Sequence, residues 1–303
     1  SFGPLYSTNG PAPNTPAGNT GDDPSIRFRD FYKDFFRTGT TYQNNISLSG
    51  AKDKMNYYFS ASSSKEEGIV PNTNYGRKTF KINANYDVTD NFTIGSSVSY
   101  TNSGGRRPNS GDKSIMSALS YWSPSIDVND YIRADGRQKN FTVGTADNPR
   151  YLAEVSNLSD NVDRWIASVN STWKINNWIK VTYNGSIDNY SDSRNRFAPP
   201  DLDVATQVKG FVINERIRFT GLNSNLLVTF DKRINDDLNN SLTIGNQVDD
   251  TETGYDMIRG EGLNVFNFNN IGNTTNLYQK NTVTKQRVVG VFGDYKLEYK
   301  DKL

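Results

Sequence analysis

The segment Gly76–Val88, GRKTFKINANYDV, decides the fold. Its even positions read Phe80, Ile82, Ala84, Tyr86 and Val88; its odd positions read Arg77, Thr79, Lys81, Asn83, Asn85 and Asp87. A period of two with one apolar and one polar face is the signature of a β-strand. The pattern recurs downstream. Asn91–Asn102 aligns Phe92, Ile94, Val98 and Tyr100, Val162–Ile175 aligns Trp165, Ala167, Val169 and Trp173, and Trp178–Tyr190 aligns Ile179, Val181, Tyr183 and Ile187. Ser241–Val248 and Arg287–Lys300 alternate likewise, with weaker versions at Gln43–Gly50, Met55–Ser64 and Phe219–Phe230. About nine antiparallel strands are expected, joined as hairpins.

The strands are long. Several run 11–14 residues, against ~5–6 in an ordinary globular sheet. On the apolar face aromatics recur eight residues apart, Phe92 with Tyr100 and Trp165 with Trp173. That spacing spans ~27 Å along a strand, or ~20 Å along the axis of a barrel whose strands tilt by ~40°. A transmembrane barrel carries an apolar band ~25 Å tall, edged by aromatic girdles.

The connections alternate short and long. Short ones are read at Ala51–Lys54, Asp87–Asn91, Asn176–Asn177 and Arg233–Asn239; long ones at Lys65–Tyr75, Ser103–Asn161, Ser191–Arg218 and Asp249–Gln286. A soluble sandwich has no reason to gather its long loops at one end, whereas an outer-membrane barrel has short periplasmic turns and long extracellular loops. Strand length, aromatic spacing and loop parity together favour an antiparallel transmembrane β-barrel portion over a half-buried soluble sheet.

Composition agrees and excludes much chemistry. The 303 residues contain neither Cys nor His and carry 34 Lys+Arg against 33 Asp+Glu. No thiol or imidazole is present for nucleophilic, general-base or zinc chemistry. The net charge of +1 gives no electrostatic ground for nucleic acid. The mean hydropathy of −0.71 suits a wide barrel, where alternate strand residues face a wet lumen and long loops face water. No apolar run approaches a membrane helix, and Ser1 opens no signal-peptide pattern.

Local order is expected in the loops. Phe28, Phe31, Tyr32 and Phe35 have helical spacing within Pro24–Gly39, with Ser25 as candidate cap. Asp112–Trp122 and the segment after Asn148-Pro149, through Leu152 and Val155, are further helix candidates. Ser1–Gly21 reads as an irregular lead-in. Gly105-Arg-Arg-Pro-Asn-Ser-Gly111 departs from phosphate-loop spacing and has no βα unit before it. Acid pairs such as Asp201/Asp203 and Asp249/Asp250 show no metal-loop or glycosidase arrangement, so neither metal nor cofactor is expected. The candidate ligand-binding residues are aromatics assigned to the long loops: Tyr121, Trp122, Tyr131, Phe141, Tyr255, Phe266 and Phe268, with Tyr278 beside them. Rings next to Asn and Asp can stack on a sugar and direct hydrogen bonds to it, or can simply pack loop against loop.

Phe35-Phe36-Arg37-Thr38-Gly39-Thr40, Asn45-Ile46-Ser47-Leu48-Ser49-Gly50, Asn56–Ser62 and Glu67-Gly68-Ile69-Val70-Pro71-Asn72 resemble the SusC/RagA family of TonB-dependent outer-membrane transporters. The likeness resumes at Tyr295–Lys302, with a matching order of strands and the Asp147-Asn148-Pro149 segment between. The resemblance implies a 22-stranded barrel of a Gram-negative, Bacteroidetes-type outer membrane. It also implies outer-membrane lipid around the barrel, an N-terminal plug contacting TonB, and a SusD-like surface lipoprotein as lid. Such transporters import oligosaccharides or peptides and are not enzymes. Residues 1–40 would then be a loop segment with a short helix, and 41–303 barrel strands and loops, with plug and remaining strands not represented in this sequence. A barrel serving as scaffold in a larger outer-membrane assembly is the alternative.

Overall fold

A computed structural model of the chain describes residues 30–124, 126–140 and 146–299. Nine strands form one sheet whose spatial order is the chain order, every neighbouring pair antiparallel. They are β1 (Thr40–Lys52), β2 (Met55–Glu67), β3 (Asn74–Thr89), β4 (Phe92–Arg106), β5 (Asn157–Lys174), β6 (Ile179–Ala198), β7 (Phe211–Asn235), β8 (Leu238–Leu263) and β9 (Thr274–Tyr299). Among the described residues no helix is long and apolar enough to cross a membrane. The long elements among the described residues are strands.

The register merges the separate alternations into one surface. Phe59 pairs with Ile82, Ile82 with Val98, Val98 with Ala167, Ala167 with Ile187, and Ile187 with Leu222. Paired residues of an antiparallel ladder lie on the same face. The apolar sets of all the strands therefore share one face, on which Ile46, Trp165, Val291 and Tyr295 stand exposed.

The band runs diagonally. Trp165 connects through Asn189, Thr220 and Glu252 to Lys285, and Trp173 through Val181, Val228 and Ile244 to Gly293. The apolar set of β9 instead occupies Val289–Tyr299, four to six residues nearer the short turns. Spread over four strand steps at ~4.8 Å each and ~3.3 Å per residue, that offset equals a strand tilt of ~35–45°. This is the tilt of a transmembrane barrel wall.

The opposite face is polar. Lys81, Asn83, Asn85, Asn170 and Lys180 all fall on it. One register row runs Asn56–Asn85–Gly95–Asn170–Asn184–Asn225–Gln247, crossing seven strands with six primary amides and one glycine. The Asn85 side chain donates to Asn56 at 3.0 Å. A Cβ on Gly95 would sit 2.3 Å from Asn85 Oδ1 and 2.5 Å from Asn170 Oδ1, so only glycine lets both amides lean into that gap.

Short and long connections alternate as expected, but the strands reach further than their apolar pattern. The long connections shrink to 68–73, 107–156, 199–210 and 264–273. Asp249–Gln286, read as a loop, is mostly paired strand of β8 and β9. Beyond the apolar band both faces meet polar surroundings, so the period-two signal fades while the backbone ladder continues. The helix α1 is likewise shorter than read, Phe31–Phe35, capped by Asp30 rather than Ser25 and extended from Phe36 onward. Ser25 and Phe28 lie outside the described residues.

Candidate functional site

The hydrophobic core lies at the long-loop end of the wall. The connection 107–156 folds into α2 (Ile115–Ser120), α3 (Pro149–Val155) and a small hairpin bridged at Ile132 and Gln138. Ser114 caps α2 and Asn148 caps α3, with Pro149 in the first turn, where its missing N–H costs nothing. Leu119, Trp122, Tyr151 and Leu152 are buried against Phe35 of α1 and against Leu202 and Ala205 of the 199–210 connection. Ala198, Phe211 and Ile213 of β6 and β7 complete the core. Phe211 and Ile213 are odd positions of β7, the parity of Asn223 and Asn225, so this cap packs on the polar face.

A polar lock holds the cap together. Gln138 donates from Nε2 to Asp147 Oδ1 at 2.9 Å, accepts from the Asn148 amide at 2.9 Å, and donates its backbone N–H to Asp201 Oδ2 at 2.9 Å. The Tyr151 hydroxyl donates to Asp201 Oδ1 at 3.1 Å and to the Gly136 carbonyl at 3.2 Å. Asp147 also accepts from the Asp203 amide, while Lys113 pairs with Asp203 at 3.0 Å. Burial pushes the Asp147 carboxyl above its ordinary range, outweighing the Gln138 hydrogen bond. Burial, then the Asp201 charge, pushes the Tyr151 phenol far up. The hydrogen bond to Asp203 raises the Lys113 ammonium. Among the described residues no cluster of acids is arranged to hold a metal.

Two arginines fasten the cap to the wall. Arg106 donates to the carbonyls of Ala153, Glu154 and Ser156 at 3.1, 2.9 and 2.6 Å, satisfying the C-terminal end of α3. Arg37 donates to the carbonyls of Gly68 and Thr73 and pairs with Glu67 at 3.1 Å. This contact joins two segments that carry the family resemblance, 35–40 and 67–72.

The aromatic candidates divide. Trp122 is a core residue, its indole N–H donating to the Ile126 carbonyl. Tyr131 packs against the core beneath the Arg150 guanidinium. Phe266 lies under the Arg137 guanidinium at 5.1 Å, tying the 264–273 connection to the small hairpin. Tyr121 and Phe268 expose their rings. Tyr255 and Tyr278 are not loop residues, since they stand on β8 and β9; the Tyr255 hydroxyl donates to Glu215. Phe141 lies outside the described residues.

Sequence reading missed a cavity of about 310 Å³ between cap and polar face, lined by Asn109, Ser110, Lys113, Arg194, Arg196 and Glu215 among others. The alternation Arg194-Asn195-Arg196 is its one sequence signal, hidden because that stretch reads as loop. A larger depression, about 780 Å³, crosses Ala167, Val169, Gly185 and Ser224 on the apolar face, where Gly185 and Ser224 leave the band thin.

The geometry can be set beside known proteins. TonB-dependent receptor P3 of Formosa agariphila is 24% identical over 297 residues, covering 90% of this chain and 28% of the receptor. A chain of the RagAB peptide transporter superposes with a TM-score of 0.71 at 13% identity, covering 91% of this chain and 32% of its own length. The RagAB peptide importer in its open-open state gives 0.69 at 14% identity, covering 90% and 31%. The chain resembles a portion of a SusC/RagA-type TonB-dependent transporter barrel. No protein-family model matches. The chain thus spans about a third of the length of these relatives, which are named as a receptor and as transporters rather than enzymes. In this barrel-wall fold the apolar face is the outer one, the polar face the inner one, and the cap lies at the long-loop end.

Proposed function

We propose that this chain forms part of the wall and mouth of an outer-membrane transporter that imports oligosaccharides or peptides with TonB-supplied energy. The observation that carries the reading is the register. It assembles nine amphipathic strands into one tilted lipid-facing band and backs that band with an uncharged luminal row. A wall of this kind presents polar groups for a ligand to pass along.

In this reading residues 1–40 lead into the wall and 41–303 supply strands and loops. A plug contacting TonB and a SusD-like lipoprotein closing over the cap complete the device, and outer-leaflet acyl chains fill the depression at Gly185. Ligand is held at the mouth, where Tyr121 and Phe268 present exposed rings, and then passes the luminal row. Tyr131, Tyr255 and Phe266 shape the mouth, Trp122 supports it, and Phe141 is assigned to the same ligand surface.

The test is uptake by cells carrying the full-length transporter, with and without its TonB-contacting segment. Loss of uptake on deletion is expected. Uptake that survives deletion overturns energised import, and co-purification with an assembly other than a lid lipoprotein favours the scaffold role.

A further inference from the structure

We propose that the cavity between cap and wall is a binding site for an anionic oxygen group, a carboxylate or sulfate, on the transported oligomer. Arg196 is its ligand-pairing cation. The proposal deepens the import reading and rests on it.

The cavity's charges are unevenly spent. Lys113 is paired with Asp203 at 3.0 Å, and Arg194 with Asp192 at 2.6 Å. Glu215, the one carboxylate in the lining, accepts the Tyr255 hydroxyl. Arg196 stands exposed on the luminal face and makes no hydrogen bond or ion pair with any described residue. Its register neighbours are Leu158 and Ile213, so no side chain directly across the ladder can neutralise it. A guanidinium without a carboxylate partner presents a planar fork of donors to a two-oxygen acceptor. Asn109 and Ser110 add an amide and a hydroxyl at the same lining, suited to the neutral parts of a ligand. With Lys113 and Arg194 held by their own carboxylates, Arg196 is the cation of this lining that has a donor fork left for an anionic guest.

The volume bounds the guest as well. About 310 Å³ is at the small end of ligand pockets, enough for one acidic unit of a chain and not for the whole oligomer. The cavity would therefore read one anionic group while the rest of the ligand lies along the mouth.

The experiment uses the purified full-length transporter and measures binding by calorimetry at two salt concentrations. The probes are a sulfated oligosaccharide, a uronate oligosaccharide and an acidic peptide, each beside a neutral counterpart of equal length. At least one acidic probe is expected to bind at least tenfold tighter than its counterpart, and the probe that does so identifies the source of the anion. Arg196→Ala should weaken that probe about tenfold, Arg196→Lys should restore part of the loss, and the neutral counterparts should be unmoved. Equal binding of acidic probes by wild type and Arg196→Ala overturns the proposal, as does no preference for any acidic probe. TonB-dependent uptake indifferent to Arg196→Ala would leave import standing and remove the anion site alone.

Discussion

Tyr100 and Trp165 pair across the β4–β5 ladder with ring centroids 4.5 Å apart, at the extracellular edge of the lipid-facing band. Paired aromatics contribute ~0.5–1.5 kcal/mol beyond the area they cover. A double-mutant cycle of Tyr100→Ala and Trp165→Ala in the full-length barrel should return a coupling of that size by urea unfolding in lipid. The Tyr100 hydroxyl also donates to Asp163. Tyr100→Phe is the control that separates this hydrogen bond from the ring contact, and a coupling near zero would remove the girdle role.

Neighbouring residues should differ sharply in what they tolerate. Val169 lies in the band and Ser168 on the luminal face. Val169→Arg should cost ~2–4 kcal/mol, the penalty of a cation near the bilayer midplane, whereas Ser168→Arg enters a wet lumen and should cost little. Barrel assembly read by heat-modifiable gel mobility checks the pair. Equal effects would reverse or abolish the assigned sidedness.

Arg106 gathers three carbonyls at the end of α3. Arg106→Ala leaves these acceptors half-buried without a donor, a loss of ~1.5–3 kcal/mol for a charge-assisted bond. The wall should still assemble. Limited proteolysis within 107–156 should accelerate about tenfold or more, and unchanged cleavage would show that the cap holds without this tie.

The cap should also respond to pH through Asp147. Its carboxyl is raised in the folded state by burial. Such a group favours the folded state fully below its unfolded value, ~3.9, and that contribution is lost as pH rises through the folded value. The stability of the wild-type cap relative to Asp147→Asn should therefore fall as pH rises from about 4 toward 7. Asp147→Asn removes this carboxyl and keeps the rest of the lock, so the comparison isolates Asp147. Hydrogen exchange over 131–139 at several pH values supplies the measurement, and a flat ratio contradicts the assignment.

The wall was legible in the sequence because lipid enforces its pattern. Phe80 to Val88 is apolar at every second position, and Trp165 to Trp173 at every second position but Ser171, because a polar group there faces hydrocarbon. No such constraint acts on the upper part of β8, where Asp249 to Glu261 pair with both neighbouring strands without a break yet read as loop. The cap was legible only in pieces. Asn148-Pro149 and Ser114 announce helix starts, but the meeting of Gln138, Asp147 and Asp201 joins segments up to 63 residues apart. Trp122 is legible as a loop aromatic but not as a buried one, since composition does not distinguish a ring that fills a core from one that meets a guest. Arg196 was missed for the opposite reason, being an ordinary charge whose meaning lies in the partner it lacks.

The row of amides on the luminal face has a mechanical consequence. Each side chain from Asn56 to Gln247 can give and take a hydrogen bond, and none carries a formal charge at any physiological pH. Contacts with such a row are worth ~1 kcal/mol each and exchange readily with water. Whatever passes it crosses a belt of weak, exchangeable contacts, none of them strong enough to become a trap.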